Sequence, residues 1–134
     1  MKFLVNLDVD DLERAVDFYG SVFDLRVGRR LGTFAVEMLG GPTPIYLLLK
    51  KAGSAATPEG IQQRSYGRHW TPIHLDFVVE DIEAVTVRAV AHGAHLEQPI
   101  TTQAGHKLAL MADPFGHGFC LLQFTGQGYD ELTS

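Results

Sequence analysis

His74-Leu75-Asp76-Phe77-Val78-Val79-Glu80-Asp81-Ile82-Glu83 decides the fold, because an approximate copy of it, Leu4-Val5-Asn6-Leu7-Asp8-Val9-Asp10-Asp11-Leu12-Glu13, stands seventy residues earlier. Val9/Val79, Asp11/Asp81 and Glu13/Glu83 match outright, and the other apolar positions match in kind. Both copies begin with an alternation of period two and change to helical spacing after an acidic pair, the mark of a strand running into a helix. In the first copy Leu12, Ala15, Val16, Tyr19, Val22 and Phe23 form one apolar stripe. Asp10 with Glu13, and more weakly Glu80 with Glu83, fit a capping box at the start of each helix. Gly93 fits the end of the second helix.

Working outward, short strands and tight turns follow each helix. In the first half Arg26 to Leu31, Thr33 to Leu39 and Ile45 to Lys50 are separated by Gly32 and by Gly40-Gly41-Pro42-Thr43-Pro44. In the second, Ala94 to Gln98, His106 to Ala112 and Phe119 to Phe124 follow, with Asp113-Pro114-Phe115-Gly116-His117-Gly118 as the last turn. The expected architecture is α+β: two tandem βαβββ modules forming a cleft between mixed β-sheets, with the helices on the outer face. Residues 1–134 then form one domain, with module one over about 1–50, a linker over about 51–72, module two over about 73–125 and a polar tail over 126–134. Arg26, Arg29 and Arg30 read as a small solvated basic surface, and the tail as a frayed end.

Composition narrows the function. A chain of 134 residues with 46% apolar and 20% charged residues has a core but no room for two full-sized domains. No window approaches the roughly 20 apolar residues of a membrane span, and Asn6 and Asp8 interrupt the opening run too early for a secretory leader. A cytoplasmic protein with no membrane partner is expected. The formal charge of −5 argues against a nucleic-acid partner. Cys120, the single cysteine, forms no internal disulfide, so packing must hold the fold. Glycine-rich phosphate loops, a nucleophile elbow and a paired-His zinc helix are all absent.

Strand alternation sorts the residues that carry chemistry. Leu75, Phe77 and Val79 must face a helix, which leaves His74 and Asp76 on the concave side together with Asn6, Asp8, Cys120, Leu122 and Phe124. Apolar walls with a few convergent polar groups suit a small-molecule site. His74 and Asp76 read as an acid/base pair, as ligands, as substrate-binding groups, or as a histidine merely satisfied by its neighbour. Asn6 and Asp8 bind a hydroxyl or amine or simply form a solvated face. Cys120 reads as a nucleophile, a soft ligand or a small buried hydrophobe. In the linker, Trp70 and Tyr66 are able to stack on a planar ligand and Arg68 to meet an anion; the plainer reading is a solvated connection with Trp70 plugged into the core edge.

The duplicated unit, the segment Val9 to Tyr19, the segment His74 to Asp81 and the ending Asp113 to Leu121 together resemble the vicinal oxygen chelate superfamily. That superfamily groups glyoxalase I, bleomycin-resistance proteins and extradiol dioxygenases. The resemblance covers nearly the whole chain and implies the paired-module fold. It also implies four metal-ligand positions on the first and last strand of each module, here occupied by Leu4, by Tyr46 or Leu47, by His74 and by Cys120. Only His74 is a standard ligand, so no metal and no other cofactor is expected. The resulting expectation is a metal-independent small-molecule (drug or metabolite) binding protein of the bleomycin-resistance type. Its ligand-binding residues would be Asn6, Asp8, Trp70, His74, Asp76, Cys120 and Phe124, with His74 and Asp76 as candidates for catalysis, and a homodimer would complete the site. The alternative is a metal-dependent lyase, isomerase or dioxygenase with an atypical ligand set anchored on His74.

Overall fold

The computed structural model describes residues 1–134, which divide into two compact units, Met1–Gly67 and Arg68–Ser134. The first runs β1 (Val5–Val9), α1 (Leu12–Phe23), β2 (Arg26–Leu31), β3 (Ala35–Leu39) and β4 (Ile45–Leu49), in a sheet of order β1-β4-β3-β2. The second runs β5 (Asp76–Val78), α2 (Ile82–Ala91), β6 (His95–Leu96), β7 (Thr101–Gln103), β8 (His106–Ala112) and β9 (Gly118–Phe124), in the order β5-β9-β8-β6 with β7 also on β8. In both units the first strand runs parallel to the last and the remaining pairings are antiparallel. The α+β, duplicated βαβββ architecture read from the sequence is therefore present. No helix is long and apolar enough to cross a membrane.

Each helix covers one sheet face. α1 buries Ala15, Phe18, Tyr19 and Val22 against the sheet face bearing Val9, Val36, Met38 and Leu47, all at most 1% exposed. α2 buries Ile82, Val85, Thr86 and Ala89 on the corresponding side of Ala109, Met111 and Leu121. Phe18, fully buried, belongs to the α1 core although the sequence stripe omitted it.

Several local expectations need correction. The N-caps are Asp11 and Asp81, one residue later than expected: their carboxylates accept from the N–H groups of Arg14 and Ala84, the third helical residues. Module two has an extra strand, β7, because Glu97-Gln98-Pro99-Ile100 splits in two what is one continuous strand, β2, in module one. Segment 51–67 is no bare linker: it folds back on itself through an Ala55–Gln63 bridge and onto module one, where Arg64 Nε donates to Asp8 at 2.7 Å. The tail is not frayed. It forms a 3-10 helix, Gly128–Leu132, whose Tyr129 ring packs on Phe124 and His106.

Candidate functional site

The face of each sheet opposite its helix is built by alternation. Along β9 that parity presents Cys120, Leu122 and Phe124, and the parallel register sets Asp76 beside Cys120. His74, just ahead of β5, shares the parity of Asp76, and its Nδ1 lies 3.1 Å from Asp76 Oδ1. One ligand atom from each of His74, Asp76 and Cys120 lies within 4.8 Å of the others. Cys120 is buried while His74 and Asp76 are open to solvent. Burial first, then the negative charge of Asp76 and the hydrogen bond to that carboxylate, push the Cys120 thiol up to about 11. At neutral pH Cys120 is therefore a protonated donor, not a nucleophile.

Trp70 completes this group. Its ring centroid stands 4.5 Å from that of His74, with planes inclined by 37°, and the Arg68 guanidinium carbon lies 5.7 Å from the indole centroid. A Cβ at Gly118 would fall inside the contact distance of Trp70 Cε3, so glycine there gives the indole its seat. Trp70 stays 46% exposed, which answers the expectation that it plugs the core edge. Arg68 is already engaged: its Nε and Nη2 donate to the two oxygens of Glu97, which raises the pKa of the guanidinium and lowers that of the carboxyl. The anion partner expected from sequence is thus an internal one.

Module one fills its open face differently. Register places Asn6 beside Tyr46 and Glu37 beside Tyr46 on its other side, which identifies Tyr46, not Leu47, as the counterpart of Cys120. Glu37, only 6% exposed, accepts from the Arg29 backbone N–H at 3.1 Å, from Arg29 Nη2 at 2.7 Å and from the Tyr46 hydroxyl at 2.6 Å. Hydrogen bonds from Arg29, then from Tyr46, hold the Glu37 carboxyl down to about 2. The same contact with Glu37 raises Tyr46. An irregularity in β2 between Val27 and Arg30 turns Arg29 onto this carboxylate, and Gly28 leaves room for it, since a Cβ there would lie 2.6 Å from Glu37 Oε1. Arg29 and Arg30 are exposed, as the sequence implied for this basic surface, but their charges are matched, Arg29 by Glu37 and Arg30 by Glu13 at 2.9 Å.

Of the residues singled out by sequence, the structure brings together Trp70, His74, Asp76 and Cys120. Phe124 lies further along β9 against Tyr129, while Asn6 and Asp8 sit on module one. Glu37 was missed, although a lone carboxylate in Ala35-Val36-Glu37-Met38-Leu39 was its visible signal. A cavity of about 570 Å³ lies elsewhere, at the start of α1 between Leu12, Arg30, Thr33 and Leu49, and none of the expected site residues lines it.

The four metal-ligand positions implied by the resemblance do not fit a divalent centre. Leu4 offers no donor and the Tyr46 hydroxyl is committed to Glu37, which leaves only His74 and Cys120 of the four with a donor atom to give.

Comparison with known proteins supplies the remaining evidence. Residues 4–122 match the model of the glyoxalase-like domain. An uncharacterized protein from Mycobacterium bovis is 30% identical over 133 residues, covering 88% of this chain and 80% of that one. Among solved structures, a glyoxalase-related enzyme from Fulvimarina pelagi superposes with a TM-score of 0.70 at 18% identity, over 92% of this chain and 87% of that one. The fosfomycin resistance protein FosX from Listeria monocytogenes also gives 0.70 at 18% identity, over 93% of each chain. At such identity these two structures share the fold.

Proposed function

The chain belongs to the glyoxalase-like domain family, and on that premise we propose that it is a metal-independent small-molecule binding protein of the bleomycin-resistance type. The observation that carries this reading is the half-exposed Trp70 ring packed at a tilt against His74, which in turn contacts the Asp76 carboxylate beside the protonated Cys120 thiol. An aromatic platform beside a carboxylate suits a planar, cationic ligand: the ring supplies area and π attraction, and Asp76 the charge. His74 and Cys120 both donate toward Asp76 and so hold that carboxylate in place. A homodimer acting in the cytoplasm is part of the proposal, since each sheet has a helix on one face only.

Titrating the protein with a panel of planar cationic and glycopeptide drugs tests this through Trp70 fluorescence. Saturable quenching that weakens on Asp76→Asn is expected, and a flat response across the panel overturns the reading.

The convergence of His74, Asp76 and Cys120 favours one second reading, a metal-dependent lyase, isomerase or dioxygenase anchored on His74. Elemental analysis of protein purified without added metal separates the two. Stoichiometric metal that is lost on His74→Ala favours the second.

A further inference from the structure

Outside that group, the structure places two imidazoles in direct contact. His117 Nδ1 and His69 Nε2 are 2.8 Å apart, both half-buried, with ring planes at 85°. Their backbones are joined as well, through a parallel bridge in which the His69 N–H donates to the Gly116 carbonyl. The two partners belong to differently built segments. His117 belongs to the turn between β8 and β9, where buried Asp113 accepts from the N–H groups of Phe115 and His117. His69 belongs to the strap Arg68-His69-Trp70, which has no helix or strand of its own.

A nitrogen-to-nitrogen contact of this length is a hydrogen bond only while one ring nitrogen carries a proton and the other presents a lone pair. Two imidazolium rings would set two N–H groups and two positive charges face to face, and the contact would fail. Trp70 follows His69 immediately, so whatever holds His69 also positions the indole against Gly118 and His74.

We propose that His69 and His117 form a proton-operated latch: sharing one proton, they hold the strap and its Trp70 platform on module two, and protonation of both releases it. Charged groups stand on both sides of the pair. The Asp113 carboxylate lies on the His117 side and takes two backbone N–H bonds. The Arg68–Glu97 ion pair tethers the start of the strap, with His95 acting on Glu97. Beyond Trp70 stand His74 and Asp76. The Arg68–Glu97 tether survives mild acid, because Glu97 is shifted down, so release frees Trp70 without detaching the chain. The consequence for binding, a weaker hold on planar ligands in mild acid, rests on the ligand reading above; the latch itself does not.

Trp70 is the only tryptophan of the chain and reports directly. Acrylamide quenching of its fluorescence is measured on the full chain, with a chelator and without any ligand, between pH 8 and pH 5. The quenching constant is expected to rise roughly twofold on acidification as both imidazoles become charged. The rise should persist in His74→Gln and vanish in His69→Gln and in His117→Gln, with folding checked by circular dichroism. If neither latch variant folds, ring-nitrogen NMR of the wild type decides: a coupling between the two imidazoles at pH 8 must disappear in step with the quenching change. A flat wild-type profile, a transition that survives in both latch variants, or its loss in His74→Gln overturns the latch. Because no ligand is present, failure of drug binding leaves this result standing, and failure of the latch leaves the binding test standing.

Discussion

At the middle of the open face of module one, Tyr46 stands beside Asn6; at the same register position in module two, Cys120 stands beside Asp76. Around Tyr46 the buried Glu37 carboxylate is saturated by Arg29 and the tyrosine hydroxyl, and charge is matched within the module. On the neighbouring strand of module two, the residue facing Cys120 is Leu110, and no cation replaces Arg29. Asp76 is held instead by the neutral thiol and by His74, whose ring packs against the half-exposed Trp70 indole. The difference teaches that one scaffold can close a polar face by pairing full charges internally, or keep a carboxylate available by giving it weak donors. This contrast is why the ligand site is proposed on module two.

The scaffold equivalence itself is the easiest part to break. Leu47 faces Leu7 and Leu121 faces Phe77 in the two parallel pairings, and both leucines are fully buried. Leu47→Ala and Leu121→Ala should each cost about 3 kcal/mol in urea unfolding, within the usual range for such cavities. A loss in one less than half that in the other would show that the modules are alike in topology but not in packing.

The next effect separates the two open faces by pH. Glu37 is held at about 2 against an ordinary value of 4.5. Below 4.5 the unfolded chain takes up a proton that the native chain refuses, so stability is lost as pH falls toward 2. Cys120 behaves in the opposite sense. With its thiol raised from 9.0 to about 11, the native chain keeps a proton that the unfolded chain releases, so stability is lost as pH rises through this window. Urea midpoints followed across pH should therefore show an acid limb that Glu37→Gln makes shallower and an alkaline limb that Cys120→Ala makes shallower. Residual slopes are expected from Glu97 and Glu83 in acid and from Tyr46 and Tyr66 in base. Exchange of the two limbs between the variants would invert the comparison.

Much of this was legible in the sequence, for physical reasons. The period change after each acidic pair is written in neighbouring residues, and alternation is a property of single strands, so both modules and the shared face of His74, Asp76 and Cys120 could be read directly. What could not be read depends on pairing across the chain. Glu37 becomes buried only because an irregularity in β2 carries Arg29 onto it. Strand β7 is short, polar and exposed, and exists through its antiparallel pairing with β8. The contact of His69 with His117 spans 48 positions and leaves no periodic trace. Capping chemistry was visible, but two consecutive acidic residues at each helix start left the choice between them to backbone geometry.

The smallest predicted difference lies in those caps. Asp11 and Asp81 each accept a single N–H bond at 3.1 Å, from Arg14 and Ala84, so on local chemistry they are equivalent. Removing such a cap costs about 1 kcal/mol. Their surroundings differ, however, because the first N–H of α2, that of Ile82, donates to Gln123 Oε1 at 2.9 Å. The start of α2 is therefore tied to β9 by a second bond that does not depend on Asp81. Asp11→Ala should cost about 1 kcal/mol and Asp81→Ala about half of that, since Gln123 keeps the first turn of α2 in place. The double variant Asp81→Ala with Gln123→Leu should then lose more than the sum of its single losses, measured by urea unfolding. Strict additivity would mean that the two bonds hold α2 independently and that the two helix starts differ in contacts but not in stability.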